Sequence, residues 1–156
     1  MYVMKKNNLK KGFTYIELLV VITIIVLITI VVIASTGQFK EKSANSAIKA
    51  DVVNIVKQIE IYYSLNSTYG QFPQATCPNT IGGSSVAFDT DSKLIEIIKH
   101  ATTAGGNGSS CSSTGENYAV SIGLKTPGQS WCVDSLGTLK QFTGTPEDAI
   151  TNNRCK

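Results

Sequence analysis

Reactive side chains are few in this sequence: four cysteines (Cys77, Cys111, Cys132 and Cys155), a single histidine (His100), an isolated acid (Glu17) and the acidic pair Asp89 and Asp91. A nucleophilic thiolate needs a base beside it, and nothing in the spacing pairs His100 with a cysteine. A structural zinc site calls for closely spaced ligands of the CxxC kind, and no two cysteines here have that spacing. Disulfide formation is the remaining cysteine chemistry, and four cysteines allow three pairings. Asp89-Thr90-Asp91 offers oxygen ligands for calcium, but without the spaced acids and glycine of a calcium loop it reads better as a helix cap. Asn66-Ser67-Thr68 and Asn107-Gly108-Ser109 fit the glycosylation pattern, which is short and common. No phosphate loop, hydrolytic triad or paired-carboxylate site is present. The expectation is a non-enzyme with no cofactor and no metal.

Glu17 stands out because of the apolar run that begins directly after it. From Leu18 to Phe39 the chain carries no charge, and as a helix these residues would span roughly 33 Å, about one bilayer core. Ahead of the run lie Lys5, Lys6, Lys10 and Lys11 with no acid among the first twelve residues. That charge bias keeps the N-terminus cytoplasmic and puts the remainder outside. A carboxylate at the edge of a membrane helix costs free energy that a plain anchor does not recover. A secretory signal cut near Ala34 would also leave Glu17 unexplained, and its apolar run is longer than the usual ~7–15 residues.

Whole-chain composition agrees with an uneven layout. The 156 residues carry 14 basic and 11 acidic side chains, a balance of +3, and 16% are charged against ~25% for an average soluble domain. Such a small positive balance does not suit a nucleic-acid binder. The excess sits in the first twelve residues. Without their four lysines, 10 basic and 11 acidic groups remain, or −1.

Lys11-Gly12-Phe13-Thr14-Tyr15-Ile16-Glu17-Leu18 resembles the class III signal of type IV pilins and pseudopilins: a short basic leader ending in Gly, then Phe, then Glu four residues on, then an unbroken apolar helix. The passage from Tyr62-Tyr63 through Asn66 and Tyr69 to Phe72-Pro73 is similar to the end of the long helix in that family. The resemblance covers about the first 70 residues. It implies cleavage between Gly12 and Phe13 by a prepilin peptidase, methylation of the Phe13 amine, and a role for Glu17 as the assembly carboxylate that meets that amine in a neighbouring subunit. Glycine at position 12 would let a peptidase grip the backbone closely. The implied partners are further copies of the chain in a helical filament, an assembly platform and its ATPase, and the cytoplasmic membrane before assembly. The implied filament serves adhesion, motility or DNA uptake. A pseudopilin of a secretion or competence system is the runner-up, and a signal-anchored binding domain that never polymerises is the alternative of another class. Unlike many pilins, this chain has no proline between Phe13 and Leu65, so Gly37 is where an assembled helix would open. Of the three cysteine pairings, Cys77–Cys111 with Cys132–Cys155 is favoured, the second enclosing a C-terminal loop of the sort pilins carry.

Periodicity predicts the helices and strands that carry these residues. Ile48, Val52, Ile55, Val56, Ile59 and Tyr62 or Tyr63 form one apolar stripe at helical spacing. The long helix is expected to end near Leu65 or Asn66, and 53 helical residues would measure roughly 80 Å. Expected next are a loop over 74–90, a short helix over 92–100 capped by Asp91, and an exposed loop over 102–115. Three strands complete the chain: one from alternation at Tyr118, Val120, Ile122 and Leu124, one over 130–135 with Trp131 in the core, and one over 138–142. The expected layout is a leader (1–12), a membrane or filament-core helix (13–39), an amphipathic helix (40–66) and a head (67–156) with a three-stranded antiparallel sheet. The fold class is α+β, with the long helix packed on the sheet.

Overall fold

The structure is a computed structural model that describes residues 12–83 and 86–156, with the backbone alone for 33–36. The leader expected over 1–12 lies outside the described residues except for Gly12.

Helix α1 runs from Tyr15 to Asn66 and continues through Gly37 without a break. It closes at Ser67, whose φ of 56° turns the chain while its amide donates to the Tyr63 carbonyl at 2.7 Å. The chain divides into two units between Gln38 and Phe39. The first carries the apolar half of α1. Its side chains from Leu18 to Val32 are exposed, so no protein core accounts for their character.

The second unit is an α+β domain in which the amphipathic part of α1 packs on an antiparallel sheet. Ile48, Val52, Ile55 and Ile59 are fully buried, as the stripe requires. Each contributes about 1.5–3 kcal/mol by burial. They meet Tyr118, Val120 and Ile122 of the sheet, together with Leu94 and Ile98 of a second long helix.

The sheet has five strands, not three: β1 (Phe72–Ala75), β2 (Ser109–Ser113), β3 (Tyr118–Gly123), β4 (Gln129–Asp134) and β5 (Leu139–Thr143), in that spatial order and all antiparallel. A hairpin of β6 (Ile150–Thr151) and β7 (Arg154–Cys155) adds a two-stranded sheet. Its turn residues, Asn152 and Asn153, both have positive φ, which suits the tight turn that joins antiparallel strands.

Two segments expected as loops hold regular elements in part. The 102–115 segment splits between the end of α3 (Ser92–Gly105) and β2. Strand β2 reads Ser-Ser-Cys-Ser-Ser and is buried along its whole length. Small polar residues suit a central strand covered on both faces, but they leave no alternation of polar and apolar to see. The 74–90 segment holds the end of β1 and a single helical turn, α2 (Ala87–Thr90), whose Ala87 and Phe88 enter the core. Helix α3 runs five residues past the expected end, to a left-handed cap at Gly106. A side chain at Gly105 would strike the Gly123 carbonyl, so glycine there lets α3 approach β3.

Candidate functional site

In the first unit the structure shows a local device around Glu17. Thr14 precedes the first helical residue. Its hydroxyl accepts from the Glu17 amide at 3.3 Å, while the Glu17 carboxylate accepts from the Thr14 amide at 2.9 Å and from its hydroxyl at 2.8 Å. This is a capping box, Thr-x-x-Glu, in which two orphan amides at the helix start are satisfied reciprocally. The Thr14-Tyr15-Ile16-Glu17 spacing carries the signal for it. In the isolated chain the Glu17 carboxylate therefore already has partners. Gly12 and Phe13 lie just outside the helix, Phe13 81% exposed, and among the described residues nothing lies within 4 Å of where a side chain at Gly12 would begin.

The apolar helix behind Glu17 satisfies its own polar groups. Thr23 and Thr29 donate their hydroxyls to the carbonyls of Val20 and Ile25, at 2.8 and 2.7 Å. Tyr15–Val32 is long and apolar enough to cross a membrane, as a membrane anchor or as a signal sequence.

In the second unit the cysteines form two disulfides, Cys77–Cys111 and Cys132–Cys155. The first sits inside the main core beneath α1. The second belongs to a separate small cluster with Ala119, Ala149 and Ile150. Beside it is Asp134, which is buried and accepts three backbone amides: Leu136 and Thr138 on one oxygen, at 3.0 and 3.1 Å, and Cys155 on the other, at 3.0 Å. Asp134 does not stand out in the sequence; its place before Ser135-Leu136-Gly137, a turn composition, is the available signal.

Asp91 caps α3 as expected, accepting from the amides of Lys93 and Leu94, and its other oxygen accepts from Gln58 on α1 at 2.8 Å. Asp91 thus serves the head's architecture, the Asp89 carboxylate lies against Gly82, and among the described residues no group of three or more His, Cys, Asp and Glu could hold a metal. His100 and Asp51 meet at 2.7 Å and tie α3 to α1. Of the two glycosylation patterns, Asn66 donates its amide to the Tyr62 carbonyl and Asn107 donates to that of Leu124. Burial, and then the Glu60 carboxylate that accepts its hydroxyl at 3.0 Å, push the Tyr69 phenol well above its ordinary range. Tyr69 lies between Tyr63, whose ring it meets at a tilt, and Tyr118, which it meets edge on, so the residues just after α1 are locked to both helix and sheet.

The chain is thus an α+β protein with two disulfides in its head and one N-terminal apolar helix able to serve as membrane anchor or signal. Comparison with protein-family models, with curated proteins and with solved structures finds no match.

Proposed function

We propose that this chain is the precursor of a structural subunit of a type IV pilus, a building block and not a catalyst. It is cleaved after Gly12, methylated on the Phe13 amine and assembled into a helical surface filament from a pool held in the cytoplasmic membrane. The observation that carries this reading is the coincidence at one helix start of Gly12, Phe13 and Glu17 with an apolar surface that none of the described residues of its own unit covers. Such a surface is satisfied by lipid before assembly and by like helices after it. In the filament the Glu17 carboxylate leaves its Thr14 partners for the Phe13 amine of a neighbour. Each charge then needs the other, because a lone buried charge is costly. The filament serves adhesion, motility or DNA uptake, and its makers are a prepilin peptidase, a membrane platform and an ATPase.

Intact-mass measurement on the membrane-extracted protein tests the processing step: loss of residues 1–12 with gain of one methyl supports it, and an intact chain or a cut near Ala34 overturns it. Electron microscopy then separates long surface filaments from the short ones of a pseudopilin. Glu17→Gln tests the assembly step, because glutamine also serves in a capping box but carries no charge. The expected result is normal cleavage with filament yield reduced at least tenfold; wild-type filament yield from Glu17→Gln sinks the charge-pair role.

A further inference from the structure

The C-terminal residues 144–156 lie across the face of the sheet opposite α1. They begin where the Gly144 amide donates to Gly128 and reach β1, where Gln74 donates to the Glu147 carbonyl at 2.7 Å. The face beneath them is built from alternate residues of β2, β3 and β4, which the register places side by side: Ser110 opposite Ser121, Ser121 opposite Cys132, and Ala119 opposite Ser112. Its apolar content is small, with Ala119 and Cys132 meeting Ala149 and Ile150, and Phe142 and Cys155 at the margin. Four buried hydroxyls on it, those of Ser110, Ser112, Ser121 and Ser130, have no hydrogen-bond partner among the described residues. A buried hydroxyl without a partner disfavours closure. Noncovalent attraction on this face is therefore modest: Ala149 and Ile150 pack on Ala119 and Cys132, Gln74 bonds the Glu147 carbonyl, Asp134 bonds the Cys155 amide, and Cys132–Cys155 is the cross-link that fastens residues 144–156 to it.

We propose that residues 144–156 are a redox-released strap: a dithiol reductant that opens Cys132–Cys155 frees them from the serine-lined face while the main core and Cys77–Cys111 stay closed. The step balances simply. A thiolate of the dithiol attacks the Cys155 sulfur, and the Cys132 sulfur leaves and takes up a proton. The second thiol of the reductant then closes its own disulfide and releases Cys155 as a thiol. Two electrons and two protons pass to the protein, and the dithiol is oxidised. Access sets the selectivity. Cys155 is partly exposed, whereas Cys77 and Cys111 are both buried in the main core. Once released, the strap gains the freedom the cross-link denied it, and the four serines regain water.

The test uses the full chain in detergent micelles. Dithiothreitol is titrated in, freed thiols are alkylated with iodoacetamide and mapped by peptide, and hydrogen–deuterium exchange is followed on the same samples. Cys132 and Cys155 should be alkylated at roughly tenfold lower reductant than Cys77 and Cys111. In that window, exchange should accelerate at least tenfold over 144–156 and stay unchanged over 48–59. Simultaneous reduction of both disulfides, or a strap that stays protected after its bond is reduced, overturns the proposal. A second measurement addresses the serines. Ser121→Ala removes one partnerless hydroxyl, so in the reduced chain its strap should exchange roughly fivefold more slowly. Equal or faster exchange would show that the serine face does not set the strap's release.

Discussion

The two faces of the five-stranded sheet are made by alternate residues of the same strands, yet they are held by different physics. On the α1 face, Tyr118, Val120, Ile122 and Val133 pack on large side chains from two helices. On the other, Ser110, Ser112, Ala119 and Ser121 lie under a short C-terminal segment whose buried apolar residues are Pro146, Ala149 and Ile150. Hydrophobic burial holds the first face. A covalent bond and a buried carboxylate hold the second. A strand can thus contribute to two layers of very different strength, and each layer is open to attack by its own kind of perturbation.

The greatest loss should come from the strong face. Ile55→Ala empties a fully buried position between α1 and the sheet and should cost about 2–5 kcal/mol, read by chemical denaturation in detergent. Ile150→Ala, on the weak face, should cost clearly less. Equal losses would mean that the two layers are not distinct.

The stripe that makes Ile55 decisive is plain in the sequence, because large apolar residues at gaps of three and four contrast with the charges between them. Strands β3 and β4 are legible for the same reason at period two. Strand β2 is not, since serine on both faces gives no contrast, and only tertiary cover makes it a strand. The β6–β7 hairpin leaves one local sign, Asn152-Asn153 between short extended pairs. Around Glu17, the apolar run and the acid are conspicuous, but the acid's charge draws the eye from its spacing to Thr14, which encodes the capping box. Nothing in spacing alone joins Asp134 to Cys155, because that bond exists only after the strap has crossed the sheet.

The disulfides extend the contrast. Their sequence separations of 34 and 23 residues predict loop-entropy contributions of about 3.8 and about 3.4 kcal/mol, too close to distinguish them. Location should. Cys77→Ser with Cys111→Ser puts two hydroxyls into the main core and should lower the global midpoint by more than loop entropy alone. Cys132→Ser with Cys155→Ser should cost about 2–4 kcal/mol at most and confine its rise in proteolysis to 144–156. Matching effects on both stability and cleavage pattern would erase the distinction.

Asp134→Asn probes the noncovalent half of the strap's attachment. Asparagine can still accept at one oxygen but presents an amide where a second acceptor is needed, so one of the three backbone donors loses its partner. The expected loss is about 1–3 kcal/mol, because bonds to a charged group are the stronger kind. Amide exchange at Cys155 and Lys156 should report it first. Protection there equal to wild type would remove Asp134 from the latch.

The mildest change lies at the rim of the strong face. The Lys49 ammonium sits 4.2 Å from the centroid of the Trp131 ring, a cation–π pair between α1 and β4. Lys49→Met keeps the aliphatic stem over the ring and removes the charge, so the loss should be about 0.5–1 kcal/mol. Lys49→Arg should retain most of the stability. Trp131 is the sole tryptophan, which turns its fluorescence into a reporter for the α1 face alone. Its emission should shift in Lys49→Met and stay fixed when Cys132–Cys155 is opened, since the strap lies on the opposite side of β4. An emission change on strap release would couple the two faces through that strand, and the weak layer would then be part of what holds the strong one.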